Sequence, residues 1–438
     1  MKLLLASFII FFQLVSLQGQ TLYGLKDCIS IGLEKNFSIL IAENNEEIAK
    51  NNYTFGNAGF LPSVELAGRH GGSLMNNETT SFDDSKNNSR GNFSTNNSAS
   101  ISMTLPIFNG FNAITSYKRL GELNATGRLN TQLSIENLIS DIVSGYYNLI
   151  LQVQLMNNLR YALKLSRERL RIDQDRYLLG AGSKLEVLQS QVYVNTDSSA
   201  LSRQDEIVRV AKIRLNQMLA IDDPGANFIS KDTTIEINPE LIYERLLDET
   251  FLNNTNLQIA SRNKVISKYD YNLITSRSYP YLNFSGGYNF NYNTSETGIS
   301  KTVQSDGLNY GLTLGFNLFD GFNQRRSIKN ADISIEISDL QYREIEQGIK
   351  SDLLIMYNSY SNNLRLINLE EQNLETASEN NDIALERYRL GSLSGIELRE
   401  VQLSLLNATE RVISAHYQTK LAEVSLNLIS GNIMTYYE

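Results

Sequence analysis

The sequence Phe108-Asn109-Gly110-Phe111-Asn112 returns 211 positions later as Phe319-Asp320-Gly321-Phe322-Asn323 (319 − 108). A second motif has the same spacing, because Arg176-Tyr177-Leu178-Leu179-Gly180 returns as Arg387-Tyr388-Arg389-Leu390-Gly391. Three more residues recur at an offset of 218 (280 − 62), namely Asn36, Lys50 and Pro62 as Asn254, Lys268 and Pro280. Matches this regular indicate one structural unit that is written twice.

The repeat divides the chain into four segments. They are an export signal at 1–20, the first copy at 21–221, a linker at 222–239 and the second copy at 240–438. Lys2 followed by an apolar run is typical of a cleaved signal, and an uncleaved anchor is the alternative interpretation. After the signal, no segment has the ~18 apolar residues of a spanning helix.

Composition excludes several classes of function. A net charge of −9 and a pI near 5.1 argue against a nucleic-acid partner, which requires a basic face. The only histidines are His70 and His416, and Cys28 is the one cysteine, so we expect neither a metal site nor any other cofactor. The sequence has no P-loop and no nucleophile–histidine constellation, so we also predict that the protein is not an enzyme.

Alternating polar and apolar residues predict four β-strands, two in each copy. We place them at about 62–71, 97–107, 280–293 and 308–319, with polar hairpin loops at 71–97 and 294–307. This pattern fits a soluble sheet that packs on a core, and it equally fits a barrel between lipid and water. The length of the strands and the tyrosines among them favour the barrel.

Four strands are too few for a transmembrane barrel, because the smallest bacterial barrels use about eight. Open strand edges have no hydrogen-bond partners in hydrocarbon. If these strands span a membrane, several chains must therefore contribute to one barrel. The sequence in this way predicts a homo-oligomer in contact with lipid.

Each copy also predicts a very long helix without proline, at 111–179 and 322–390. At ~1.5 Å per residue, ~68 residues extend roughly 100 Å. Apolar residues recur with a mean spacing of 3.5, as in a coiled-coil seam. In the first copy this seam consists of Ile135, Ile139, Ile142, Tyr146, Leu149, Val153 and Met156. A soluble coiled coil or bundle would show the same spacing.

Glycines end both long helices, and a further helix follows each of them, at 185–220 and 396–430. Glycine permits the left-handed residue that stops a helix, and a serine can cap the next one. We call the two turns the tips. Their residues are Gly180, Gly182 and Ser183 in the first copy, and Gly391, Ser392, Ser394 and Gly395 in the second.

With these features together, the chain resembles the TolC-like family of outer-membrane efflux proteins. The resemblance covers essentially the whole mature chain, and it depends on the Phe-x-Gly-Phe turns, the Arg-Tyr-x-x-Gly motifs, Leu61-Pro62 and Tyr279-Pro280. It implies a homotrimer with a shared 12-stranded transmembrane barrel and a periplasmic tunnel of long antiparallel coiled-coil helices. It also implies a location in the outer membrane of a Gram-negative bacterium.

The resemblance further implies a function and partners. The family conducts exported compounds or proteins passively outward, in a tripartite efflux or type I secretion system. Its partners are a periplasmic adaptor protein and an inner-membrane transporter, and the tips resemble the surfaces offered to the adaptor. The alternative is a trimeric coiled-coil surface protein or adhesin without a conduit, which would need neither duplicated strand pairs nor an acidic constriction.

Family members carry acidic residues at the constricted tunnel entrance, and the resemblance assigns that role to Glu397 and Glu400. At the equivalent positions the first copy has Glu186 and Gln189, a weaker match. Carboxylates around a threefold axis would favour cations, and their crowding should raise their pKa values. Stabilisation of the helix N-terminus would also explain these acids. Leu393 replaces a basic residue that latches the closed state in some relatives, so we expect this latch to be absent.

Overall fold

The computed structural model describes residues 22–297 and 300–437, so the predicted export signal lies outside the described residues. The chain is mostly helical and contains one four-stranded antiparallel sheet. Contacts divide it into two units, each built from both copies. One unit contains the described residues up to Asn44, Leu129–Gln258 and the residues from Glu344, and the other contains Asn45–Arg128 and Ile259–Arg343.

The first copy has seven helices and strands within the described residues. They are β1 (Leu22–Tyr23), α1 (Leu25–Lys35), α2 (Phe37–Asn52), β2 (Ser63–Thr80), β3 (Lys86–Asn109), α3 (Asn112–Leu178) and α4 (Lys184–Met218). The linker contributes β4 (Ile229–Ser230), which pairs in parallel with β1.

The second copy repeats this order. Its elements are α5 (Tyr243–Asn253), α6 (Thr255–Ser276), β5 (Tyr281–Ser295), β6 (Thr302–Gly315), α7 (Asn323–Arg389), α8 (Gly395–Ile429) and a 3-10 helix (Ile433–Tyr436). Both α3 and α7 contain 67 residues, and both α4 and α8 contain 35, so the duplication holds for these four helices. None of the described helices combines the length and the apolar character needed to cross a bilayer.

The sheet has the order β2-β3-β5-β6, and every neighbouring pair is antiparallel. Its two faces differ in chemistry, as the paired residues of successive rows show. One row across the four strands is Leu66, Ile101, Tyr288 and Leu308, and the next row is Glu65, Ser102, Gly287 and Asn309. The apolar row is exposed in the isolated chain, so none of the described residues covers this face.

The predicted hairpin loops are wrong over most of their length. β2 continues to Thr80 and β3 begins at Lys86, so most of 71–97 is strand rather than loop. In the second hairpin β5 continues to Ser295, and β6 begins at Thr302 and ends at Gly315, not at 308 and 319. Polar composition does not prevent a ladder, because the backbone pairs are independent of it and hydroxyl pairs add to them. Ser73 Oγ and Ser94 Oγ lie 2.8 Å apart across the first hairpin.

The repeated Phe-x-Gly-Phe motif forms the same turn in both copies. Gly110 and Phe111 have φ values of 64° and 66°, and Gly321 and Phe322 have values of 69° and 62°. The two phenylalanine rings of each motif meet edge to face, with centroids 5.2 Å and 5.3 Å apart. A side chain at Gly110 would meet the Ser276 carbonyl and would lie 2.9 Å from Tyr279 Cβ, so glycine is required there.

The helices bury the predicted seam. Ile139, Ile142, Tyr146 and Leu149 of α3 are almost completely buried, and α1 and α4 supply other members of the same core. In α7 the equivalent seam contributes Leu353, Tyr360 and Ile367 to the buried residues. The spacing of 3.5 is therefore confirmed as the buried face of both long helices. Cys28 is fully buried in this core, and burial raises the pKa of its thiol to about 12.

Candidate functional site: the helix tips

Both long helices end in the same hydrogen-bonded turn. Gly180 and Gly391 adopt left-handed φ values of 74° and 79°. The amide of Ala181 donates to the Arg176 carbonyl at 2.8 Å, and the amide of Ser392 donates to the Arg387 carbonyl at 2.9 Å. These turns satisfy carbonyl groups that the helix leaves without partners, as in a Schellman motif.

The proposed gate residues Glu186 and Glu397 take part in capping boxes. The Ser394 amide donates to the Glu397 carboxylate at 2.9 Å, and the Glu397 amide donates to Ser394 Oγ at 3.3 Å. Ser183 and Glu186 repeat this pair at 2.7 Å and 3.3 Å. Both glutamates therefore stabilise the starts of α4 and α8.

Hydrogen bonds from the Ser394 side chain and backbone, with the nearby positive charge of Arg387, lower the pKa of Glu397. Within one chain this direction is opposite to the predicted rise, because the carboxylate accepts hydrogen bonds and has no acidic neighbour from another chain. Glu400 and Gln189 are exposed one turn further along α8 and α4 and take no part in the caps.

The predicted tip residues serve the turns and also face solvent. Gly180, Ser183, Gly391, Ser392 and Ser394 are exposed, whereas Gly182 and Gly395 are half-buried. At Gly182 an added side chain would lie 3.0 Å from Arg176 Cβ, and the Gly395 carbonyl accepts from Arg169 Nη1 at 3.3 Å. Gly182 therefore has a packing role in addition to turn formation, and the Gly395 carbonyl connects the start of α8 to α3.

A buried carboxylate joins the two copies near the tips. Asp173 of α3 accepts hydrogen bonds from Ser190 Oγ of α4 and from the Tyr388 hydroxyl of α7. Burial and this carboxylate raise the pKa of Tyr388. Arg176 donates to the Tyr388 carbonyl, and its guanidinium lies 4.7 Å from the centre of the tyrosine ring. Asp173, Ser190 and Tyr388 therefore connect α3, α4 and α7.

A buried ion pair lies on the same side of α3 as Asp173. Arg399 of α8 binds Asp197 of α4 with both terminal nitrogens, at 2.8 Å and 3.0 Å. The centre of the Tyr193 ring lies 4.2 Å from the Arg169 guanidinium and 5.1 Å from the Arg399 guanidinium. Burial and the charge of Arg399 lower the pKa of Arg169. A buried bidentate pair with cation–π contacts fixes the geometry of the helices that meet here.

Sequence reasoning missed this network. Ser166, Arg169, Asp173 and Arg176 follow each other in steps of 3, 4 and 3, which is the spacing of a buried seam. Charged residues at that spacing are a signal that the seam becomes polar near the tip. The partners Asp197 and Arg399 give no such signal, because their positions follow from the packing of two copies.

Comparison with known proteins identifies the family. A sequence model of the outer membrane efflux protein family matches residues 28–220 and 246–432. The chain belongs to the outer membrane efflux protein family. Members are outer-membrane channel proteins of Gram-negative bacteria, and this chain is an outer-membrane channel of an efflux or secretion system. No enzymatic family is indicated.

Individual relatives share the fold at low sequence identity. Nodulation protein T of Rhizobium leguminosarum bv. trifolii is 20% identical over 387 residues, which cover 85% of this chain and 78% of that protein. The outer membrane protein VceC of Vibrio cholerae superposes with a TM-score of 0.77 at 15% identity, over 93% of this chain and 96% of that one. The Campylobacter jejuni CmeC outer membrane channel gives 0.79 at 13% identity, over 93% and 85%.

Leu393 of this efflux protein has an apolar environment. It packs against a cluster formed by Ala384, Tyr388 and Leu398, so its position is part of a small core. No cation is expected at this position, because a charge there would lose hydration without a partner. Arg176 and Arg399 supply the cationic contacts near the tip instead.

Proposed function

We propose that three copies of this chain form a conduit with a shared 12-stranded barrel in the outer membrane and a tunnel of helices in the periplasm. Channels of this family are homotrimers that work with adaptor proteins and inner-membrane pumps. The observation that carries the proposal is the sheet, which has one apolar exposed face, one polar face and two free edges. Exported substrates would pass through passively.

The free edges explain the number of chains. β2 and β6 are the outer strands, and neither has a second partner within the described residues. In hydrocarbon every backbone group on these edges would lack a hydrogen-bond partner. Since neighbouring strands alternate in direction, β6 of one chain can pair antiparallel with β2 of the next. Three sheets of four strands then close into twelve.

The orientation of the sheet can be tested with two adjacent substitutions. Leu312 lies on the apolar face, and Thr313 lies on the polar face of the same strand. Arginine on a lipid face costs about 2–4 kcal/mol near the middle of a bilayer, whereas the water-filled side tolerates charge. We expect Leu312→Arg to reduce the amount of assembled trimer in outer membranes strongly and Thr313→Arg to leave it near normal. Equal loss in both variants would contradict the barrel.

The proposed gate consists of the exposed acids at the start of α8. Glu400 is free of the cap, and Glu397 carries its charge at the same helix terminus. Glu186 and Gln189 occupy the equivalent positions in α4, with one carboxylate fewer. Six carboxylates from α8 in a trimer (three chains with two each) would form an electronegative constriction that favours cations.

The gate predicts a change of ion selectivity. Glu397→Gln with Glu400→Gln should weaken cation selectivity in planar bilayers, while the cap at Glu397 keeps an acceptor. Glu186→Gln removes one charge from the equivalent helix and serves as the matched comparison, with a smaller expected effect. An unchanged reversal potential in the double variant would refute the gate.

The tips are the proposed docking surface for the periplasmic adaptor, through which the inner-membrane transporter delivers its substrates. Ser183, Ser392 and Ser394 are exposed polar residues beside the turns. In a variant that carries Cys28→Ala, Ser183→Cys and Ser394→Cys, crosslinking in cells should capture a periplasmic adaptor. A trimer that captures none would contradict this contact. Conductance in planar bilayers distinguishes the conduit from a surface fibre, which would show none.

A further inference from the structure

We propose that Arg387 of one chain binds the first-copy tip of a neighbouring chain, over the ring of Tyr177 and beside Gly180. This contact would repeat, between chains, the one that Arg176 makes with Tyr388 inside a chain. The inference rests on the trimer proposed above and assigns residues to the joint between its subunits. The partner is a second copy of this chain.

The contact inside the chain provides the template. The Arg176 guanidinium donates to the Tyr388 carbonyl, lies 4.7 Å from the centre of the Tyr388 ring and approaches the Arg389 carbonyl at 3.5 Å. It also lies 3.7 Å from the position that a side chain on Gly391 would occupy. Arg176 of the first copy is therefore bound at the tip of the second copy.

The duplication supplies the same three groups a second time. At the offset of 211, Arg176 corresponds to Arg387, Tyr388 to Tyr177 and Gly391 to Gly180. The two tips also share their backbone, since the Tyr177 carbonyl accepts from the Gly180 amide at 3.1 Å and the Tyr388 carbonyl accepts from the Gly391 amide at 3.0 Å. A carbonyl oxygen has a second lone pair for an arginine.

In a single chain no arginine of the described residues occupies the equivalent position at the first tip, where Lys184 Nζ lies 5.6 Å from the centre of the Tyr177 ring. Tyr388 is 2% exposed, whereas Tyr177 is 44% exposed. Apart from the two chain neighbours of Gly180, no described residue has an atom within 4 Å of the position that a side chain there would occupy. Arg387 is exposed and has no ion pair within the described residues, although its charge acts on Glu397. Among the described residues of one chain, Arg387 therefore has no contact of this kind, and the tip at Tyr177 and Gly180 binds no arginine.

The helix faces beside these residues also carry apolar side chains that are exposed in a single chain. Leu188, Leu369 and Ile383 are 54%, 57% and 55% exposed. Their counterparts at the offset of 211 are Arg399, Asn158 and Ile172, which lie in the joint between the two copies. A neighbouring chain that docks head to tail would cover the apolar set. A contact between different surfaces closes into a ring when the rotation from one chain to the next closes, as the threefold rotation of the proposed trimer does.

The joint between chains would be weaker than the joint within a chain. Asp173, Arg169 and Asp197 have Ala384, Asn380 and Ala408 as their counterparts. The buried carboxylate on Tyr388 and the bidentate pair of Arg399 are therefore not repeated between chains. Arg387 would supply the main charge-assisted hydrogen bond of this joint, and the closed end of the tunnel would open there first.

Crosslinking tests the contact with a matched control. In a chain with Cys28→Ala, we introduce Tyr177→Cys with Arg387→Cys, or Arg176→Cys with Tyr388→Cys as the control, and treat intact trimers with a short bismaleimide. We expect covalent dimers and trimers for the first pair on a denaturing gel. We expect only single chains for the control, with an internal crosslink located by peptide mass.

The outcomes separate this inference from the proposed trimer. A native mass of three chains without crosslinks between chains in the first pair would overturn the contact and leave the trimer standing. A native mass of one chain would overturn both.

A conductance measurement tests the contact without new cysteines. Losing a charge-assisted hydrogen bond of about 1.5–3 kcal/mol shifts an equilibrium by roughly tenfold or more. Arg387→Met should therefore raise the open fraction of the channel in planar bilayers roughly tenfold, and Arg387→Lys should raise it less. An open fraction equal to that of the unmodified channel would contradict the inference.

Discussion

The tips of the two copies share a backbone and differ in what surrounds them. At the second tip, Tyr388 is buried beneath Arg176 and bonded to Asp173 of the first copy. At the first tip, Tyr177 is exposed, and Lys184 Nζ lies 5.6 Å from the ring centre. The turn itself is thus set by local residues, whereas its surroundings depend on residues of a different helix. One chain therefore contains the complete set of contacts at the second tip but not at the first.

The largest expected effect comes from the same comparison at the other end of the long helices. Gly110 and Gly321 both have positive φ, but only Gly110 is packed against Ser276 and Tyr279. Gly110→Ala should combine a left-handed alanine with a steric clash and lower the free energy of unfolding by about 3 kcal/mol or more. Gly321→Ala should cost about 1 kcal/mol, because only the conformation is unfavourable.

Urea unfolding in detergent, followed by circular dichroism, measures this difference. Equal losses in the two variants would show that the two turns are equivalent in packing as well as in backbone.

A smaller effect is expected from removing one hydroxyl at each tip. Tyr388→Phe leaves the buried Asp173 carboxylate with one donor fewer, which should cost about 1–3 kcal/mol. Tyr177→Phe should be nearly neutral, because Ala384 is the counterpart of Asp173 and offers no acceptor. Thermal unfolding midpoints of the two variants test the comparison. A larger loss for Tyr177→Phe would mean that its hydroxyl has a partner in the assembled protein.

The smallest effect concerns pH and the caps. The pKa of Glu397 is lowered by its hydrogen bonds, so ionised Glu397 stabilises the start of α8 above its ordinary pKa of 4.5. This contribution should be lost as the pH falls below 4.5 through the lowered pKa. As the pH falls through this range, hydrogen exchange of the first amides of α8 should therefore become faster relative to the intrinsic exchange rate at each pH. Glu397→Gln should remove that additional pH dependence. An unchanged profile in the variant would exclude Glu397 as its source.

Much of the fold could be predicted from the sequence, because the relevant signals are local or periodic. The seam of α3 places Ile139 and Tyr146 in the core, and Gly180 and Gly391 end the long helices where the sequence indicates. The length of the hairpins could not be predicted from composition. Polar residues such as Ser73 and Ser94 also form a ladder, so the strands extend beyond the alternating core.

The candidate site was less accessible to sequence reasoning. The capping serines and glutamates follow from spacing alone, but the burial of Asp173 depends on Tyr388, which lies 215 residues away. No local pattern brings these two positions together. The gate and adaptor roles depend on several chains, so they stay predictions.

Native mass measurement of the detergent-extracted protein tests the central claim most directly. The account predicts three chains in one particle, because each sheet needs neighbours for both of its free edges. A particle that contains one chain, with its sheet protected and its helices intact, would contradict it.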